Sequence, residues 1–155
     1  MSYLTQKTIK NKVNFSGIAL HSGLNVNVCI KPANANFGIV FKRVDLKKNN
    51  EVYPNFLNVT NTSLNTTIEN QFGAKVSTIE HHMGALFGLG IDNALIEINN
   101  EEVPILDGSA KIFIEKIISA GIDVSNSPIK VIKINKEIKF SDGERFILIK
   151  PSTLS

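Results

Sequence analysis

Glu80 and His81 stand side by side, with His82 directly after them. A carboxylate beside an imidazole can take a proton from water, and an imidazole can coordinate a metal or transfer the proton itself. These are two of the chain's three histidines, the third being His21. Residues 77–90 read as one short helix. Ser77 followed three residues later by Glu80 is a capping-box pattern, in which each side chain satisfies an orphan N–H of the first turn. Gly88 and Gly90 supply positions at which a helix can end in the left-handed region.

At about 100° per residue, two faces separate. Ile79, His82, Met83, Leu86 and Phe87 share the arc expected to face a core. Glu80, His81, Gly84, Ala85 and Gly88 share the opposite arc, which carries little bulk beyond the acid and one imidazole. His82 is therefore expected to be structural, and His81 free to bind a metal or move a proton. The stretch also fits a blander use, since a first-turn acid commonly caps and a first-turn histidine is commonly solvated. There is no H-E-x-x-H, so the usual two-histidine zinc helix is absent.

The elements that must position these residues follow from patterning. Residues 25–31 alternate cleanly, with Val26, Val28 and Ile30 on one face, and 38–43 read as the returning strand of an antiparallel hairpin. Thr-rich residues 60–68 favour a strand, and 94–98 form a short apolar strand. Asp107 or Ser109 can cap a second helix over 110–120, with Ile112, Phe113, Ile117 and Ile118 on its buried side and Gly121 as its stop. This order predicts an α+β two-layer sandwich, a mostly antiparallel sheet with two helices on one face. Residues 1–123 form that domain and 124–128 a linker. Residues 129–155, with strand-like 130–140 and 145–150, read as the first strands of a second, similar domain left incomplete.

At 155 residues, 43% hydrophobic and 20% charged, the composition is that of an ordinary globular protein. A single Cys29 excludes a disulfide framework within one chain and suits a reducing, cytoplasmic setting. The start of the chain has no apolar leader region, and no run approaches the ~18 apolar residues of a membrane span. A net charge of +3 suits an anionic substrate but does not argue for nucleic acid.

Five stretches in register resemble one family, the zinc-dependent UDP-3-O-acyl-N-acetylglucosamine deacetylases of lipid A (lipopolysaccharide) biosynthesis. They are Gly17-Ile18-Ala19-Leu20-His21-Ser22-Gly23, Pro32-Ala33-Asn34-Ala35-Asn36-Phe37-Gly38-Ile39-Val40-Phe41, Val76-Ser77-Thr78-Ile79-Glu80-His81, Gly88-Leu89-Gly90-Ile91-Asp92-Asn93, and Val103-Pro104-Ile105-Leu106-Asp107-Gly108-Ser109-Ala110. The resemblance implies hydrolysis of the 2-acetamido group of a UDP-linked, 3-O-acylated glucosamine. It implies His81 as a zinc ligand and Glu80 as the general base. It also implies substrate-binding roles for His21, for Asp107, which can equally cap or orient its loop, and for Arg145, at a basic position associated with the nucleotide diphosphate.

Departures from the family pattern accompany it. His82 stands where an aliphatic residue is usual, Asn61 replaces an Asp, and Asn65 replaces a position that is Cys in some members. The family's remaining zinc ligands and its general-acid histidine come from a second domain and have no counterpart here. The expectation is a cytoplasmic N-terminal portion, inactive alone, whose partner is its own C-terminal half if separately encoded. The competing reading is a non-catalytic α+β binding module or degenerate remnant, because such folds host many functions.

Overall fold

The computed structural model describes residues 4–152. The expected leader-free start at residues 1–3, and the last three residues of the expected second-domain segment, lie outside them. In chain order the strands are β1 (Thr5–Ile9), β2 (Val13–Ile18), β3 (Asn25–Pro32), β4 (Ile39–Arg43), β5 (Glu51–Val52), β6 (Val59–Asn61), β7 (Thr67–Glu69), β8 (Lys75–Val76), β9 (Ala94–Ile98), β10 (Ile122–Pro128), β11 (Ile138–Asp142) and β12 (Arg145–Ile149). The helices are α1 (Glu80–Leu89) and α2 (Lys111–Ala120).

Alternation in β3 does what its sequence implies: Val26, Val28 and Ile30 are buried while Asn25 and Asn27 are exposed. The central sheet runs β2-β3-β9-β4-β5. Its register lines up Val13, Ile30, Ile96, Phe41 and Val52 across the strands, one apolar row on one face. The other face carries polar pairs such as Lys31–Glu97 at 2.7 Å. A sheet apolar on one side needs one covering layer, and α1 and α2 supply it. The expected α+β sandwich is the fold.

The expected hairpin of β3 with β4 does not form. β9 lies between them, antiparallel to β3 and parallel to β4. Its Ala94, Ile96 and Ile98 are fully buried, so insertion adds an apolar strand to the middle of the sheet. The 33–38 loop closes a turn, with Phe37 donating to the Asn34 carbonyl at 3.1 Å, and is also tied to β9. Gly38 donates its N–H to Asn93 Oδ1 at 2.9 Å, and Ala94 donates to the Gly38 carbonyl at 2.9 Å. The Thr-rich strand over 60–68 is likewise two strands, β6 and β7, separated by a turn and joined with β8 in a small sheet.

α1 ends as expected, at Gly90 in the left-handed region (φ 68°), with Gly88 still inside the helix. Its expected start is corrected. Ile79 precedes the first turn and no side chain caps it. Ser77 instead donates its hydroxyl to the Glu101 carbonyl at 3.1 Å, and Glu80 accepts from the Thr66 amide. Tertiary partners outcompete the local box. The faces shift accordingly: His82, Leu86 and Ile79 are buried as expected, but Ala85 joins them and Phe87 is 88% exposed. α2 buries Phe113, Ile117 and Ala120, whereas Ile118, expected inside, is exposed.

Residues 124–128, expected as a linker, are extended in β10, which pairs antiparallel with β1. β11 and β12 form a hairpin whose residues are all exposed and whose strands pair only with each other among the described residues.

His82 is 0% exposed, and neither ring nitrogen has a hydrogen-bond partner. Phe15 and Phe41 approach its ring edge-on at 6.2 and 5.8 Å, and Phe113 lies at 5.2 Å. Burial pushes its pKa down from 6.5 to about 4. The folded state thus holds the neutral ring, so the stability is whole above pH 6.5 and is lost as pH falls toward about 4. That loss is on the order of 3 kcal/mol. Urea unfolding across this range is expected to show it in the wild type and not in His82→Leu.

Candidate active site

The site is built around a single buried carboxylate. Glu102 is 2% exposed. Its Oε1 accepts from the His21 amide at 2.9 Å and the Thr78 hydroxyl at 3.0 Å, and its Oε2 from the Ser22 amide at 2.9 Å. Burial works against its charge, but these donors together outweigh burial and hold the pKa below the ordinary carboxylate value. One side chain therefore joins the turn after β2 to the segment entering α1.

The backbone around Glu102 makes the same connection. Ser77 donates to the Glu101 carbonyl at 2.8 Å and accepts from Val103 at 3.0 Å, while Ile105 donates to the Ile18 carbonyl at 3.0 Å. Residues 101–105 are thus laced to 18–22 on one side and to 77–78 on the other. The packing is close at Gly17, where a Cβ would come within 2.9 Å of the Leu106 side chain and 3.1 Å of Pro104, so Leu106 would have to shift to admit one. Thr78 takes φ 56°, an uncommon conformation for a β-branched residue, two residues before the helix begins. Its bond to Glu102 holds it there.

From this frame α1 presents Glu80, exposed, and His81, partly exposed, side by side. The Glu80 carboxylate accepts from the Thr66 amide, which brings the 62–66 turn over the start of the helix. Asn65 lies in that turn and accepts from the Thr67 hydroxyl at 3.0 Å; Asn61 accepts from the Ser63 amide at 2.9 Å. Among the described residues the His81 ring makes no hydrogen bond, so its nitrogens are available. His21 reaches the same region through the Glu102 clasp.

Asp107 follows directly on the laced segment and shapes its own loop. Its Oδ1 accepts from the Ser109 amide at 3.1 Å and hydroxyl at 3.0 Å, and Ser109 Oγ in turn accepts from the Lys111 amide at 3.1 Å. Asp107 and Ser109 shape the turn leading into α2, but neither holds the cap position expected of it: Ala110 does, with no side-chain cap, because Asp107 is turned onto Ser109. Arg145 opens β12 opposite Asp142 on the exposed hairpin. Contacts thus tie His21, Glu80, His81 and the Asp107 loop to one frame, and Arg145 stands outside it. Glu102 and Thr78 were not singled out by their types. The available signal was an acid set directly against apolar Val103-Pro104, where a solvated residue would not be expected.

The donor set bears on a metal. Among the described residues, no three His, Cys, Asp or Glu side chains gather as a cation site. A catalytic zinc needs three protein ligands and an open position. Among the described residues, His81 with Glu80 beside it falls short of such a set.

The α+β sandwich thus presents a carboxylate and an imidazole side by side at the start of a helix. The family model described as LpxC, UDP-3-O-acyl N-acetylglycosamine deacetylase, matches residues 6–155, and the chain belongs to that family. It is 45% identical over 148 residues to a UDP-3-O-acyl-N-acetylglucosamine deacetylase of Pseudoalteromonas atlantica, covering 96% of this chain and 49% of that one. A relative of the same name from Geotalea uraniireducens is 47% identical over 147 residues, covering 95% and 48%. The chain spans about half the length of the curated relatives it matches.

Truncating Glu102 leaves the His21 and Ser22 amides without partners. Glu102→Ala is expected to cost roughly 1–3 kcal/mol in urea unfolding and to speed amide exchange at His21 and Ser22. Because the folded pKa is depressed, the carboxylate's contribution is present above its ordinary value of 4.5 and is lost as pH falls through the lower folded value. Unfolding of Glu102→Gln is expected to lack that acid-side slope.

Proposed function

We propose that this chain carries the water-activating part of a metal-dependent deacetylase acting on the N-acetyl group of UDP-3-O-acyl-N-acetylglucosamine, in the cytoplasm. The observation that carries the reading is the pairing of Glu80 with His81 on the open side of α1 while His82 is sealed in the core. Family membership supplies the reaction class, and the substrate is that in the relatives' names.

In this reading Glu80 is the general base that accepts a proton from the attacking water. His81 offers a ring nitrogen as one ligand to zinc. Zinc, when bound, would supply Lewis-acid polarisation of the amide carbonyl and a more acidic water. Its remaining ligands and the general acid come from outside this chain, from a C-terminal half covalently joined or separately encoded. The isolated chain is then inactive. His21, held by Glu102, and the Asp107 loop line the approach of the sugar; Arg145 offers a guanidinium suited to the diphosphate.

The test joins this chain to the C-terminal half of the Pseudoalteromonas atlantica relative and measures acetate release and zinc content separately. Glu80→Gln is expected to lower kcat by roughly 100- to 10,000-fold with zinc retained, and His81→Ala to lose zinc. Full turnover in Glu80→Gln, or stoichiometric zinc and turnover in the unjoined chain, would contradict the proposal.

A further inference from the structure

A cleft of about 470 Å³ opens between the loop after β4, the 3-10 turn Phe56–Asn58 and the β7–β8 turn. None of its lining residues belongs to the Glu80–His81 group. Its size falls within the range of small-molecule sites, about 300–1,000 Å³.

The walls are braced by side-chain amides. Asn70 donates to the Asn49 and Glu51 carbonyls at 2.8 and 2.9 Å, and its Oδ1 accepts from the Phe72 and Ala74 amides at 2.9 and 3.1 Å. Asn58 donates to the Tyr53 carbonyl at 2.9 Å. These bonds span three separate loops, so the cleft is shaped before any ligand arrives, which lowers the ordering cost of binding.

Bracing leaves other groups uncommitted. Among the described residues, the side chains of Asn49 and Gln71 make no hydrogen bond. Tyr53 is 48% exposed and Phe72 is 61% exposed, although both line the cleft. Glu51 accepts from the Tyr53 hydroxyl at 3.2 Å and retains its other oxygen. No lysine or arginine lines the cleft, so phosphate and other anions find no counter-charge there.

Aromatic faces carry partial negative charge and attract the positive edge of C–H groups, while amides and a carboxylate take hydroxyls. A ligand that has a C–H face and a rim of hydroxyls, without charge, is a sugar ring. We propose that this cleft binds a neutral saccharide, its ring against Tyr53 and Phe72 and its hydroxyls on Asn49, Gln71 and Glu51. The site needs neither metal nor a second domain, so its test is independent of the deacetylase reading.

The experiment is a two-dimensional amide NMR titration of the full chain with N,N′-diacetylchitobiose, cellobiose and maltose, each to tens of millimolar. At least one is expected to give saturable shifts confined to the amides of residues 49–53, 58 and 70–72. Tyr53→Ala and Phe72→Ala, both at exposed rings and so expected to fold, should each weaken it roughly three- to tenfold. Phe56→Ala, at an exposed ring outside the cleft, should bind as the wild type does. Uridine diphosphate should leave these amides unmoved. No saturable shift with any of the three sugars, saturation mapping elsewhere, or equal response to uridine diphosphate would overturn the proposal. So would vesicle binding that Phe56→Ala abolishes in a chain that binds no sugar, which would make this surface a lipid contact.

Discussion

Burial of the His82 ring among Phe15, Phe41 and Phe113 fixes the rotation of α1, and with it everything the helix presents. Residues on a helix advance by about 100°, so a side chain locked inward turns the second residue before it to the far side. Glu80 is that residue, and His81 falls between. The arrangement has a cost. Two ring nitrogens without partners forfeit roughly 1–3 kcal/mol each, against about 1.5–3 kcal/mol gained by burying a side chain of that bulk. Edge-on contacts from two phenylalanines add to the favourable side. The position is therefore nearly balanced at neutral pH and turns unfavourable when the ring gains a proton.

Rotation alone would not place the pair in a site; the 101–105 segment does that. It runs between the turn carrying His21 and the entry to α1, bonded to both through its backbone and through Glu102. A carboxylate buried with three donors is worth more as a clasp than a surface ion pair, because the donors are fixed and solvent is excluded. The Asp107 loop continues from the same segment, so a candidate substrate residue and the start of α2 inherit their positions from it. Strand β9 anchors the other side, its apolar residues at the centre of the sheet that α1 and α2 cover.

Much of this was legible in the sequence. Period-2 alternation marked β3, the apolar arc marked His82 and Leu86 as core, and Gly90 marked the end of α1. The two-layer class followed from the order of elements. What failed were inferences from local chemistry where distant partners compete. The Ser77–Glu80 box lost to bonds with Glu101 and Thr66, which no local pattern announces. The β3–β4 hairpin lost to β9, whose three buried apolar residues fill the gap between them. Phe87, on the arc of α1 expected to face the core, and Ile118, on the expected buried side of α2, are both exposed. Glu102, the most connected acid of the site, carried only the faint signal of its apolar neighbours.

The orientation of the three histidines can be read directly. Limited acylation of imidazoles in the folded chain at neutral pH, mapped by mass spectrometry, compares them within one sample. His81 and His21 are expected to react while His82 stays unmodified until denaturant opens the core. Modification of His82 in the native chain as fast as His81, or protection of His81, would contradict the placement of Glu80 and His81 on the open side of α1.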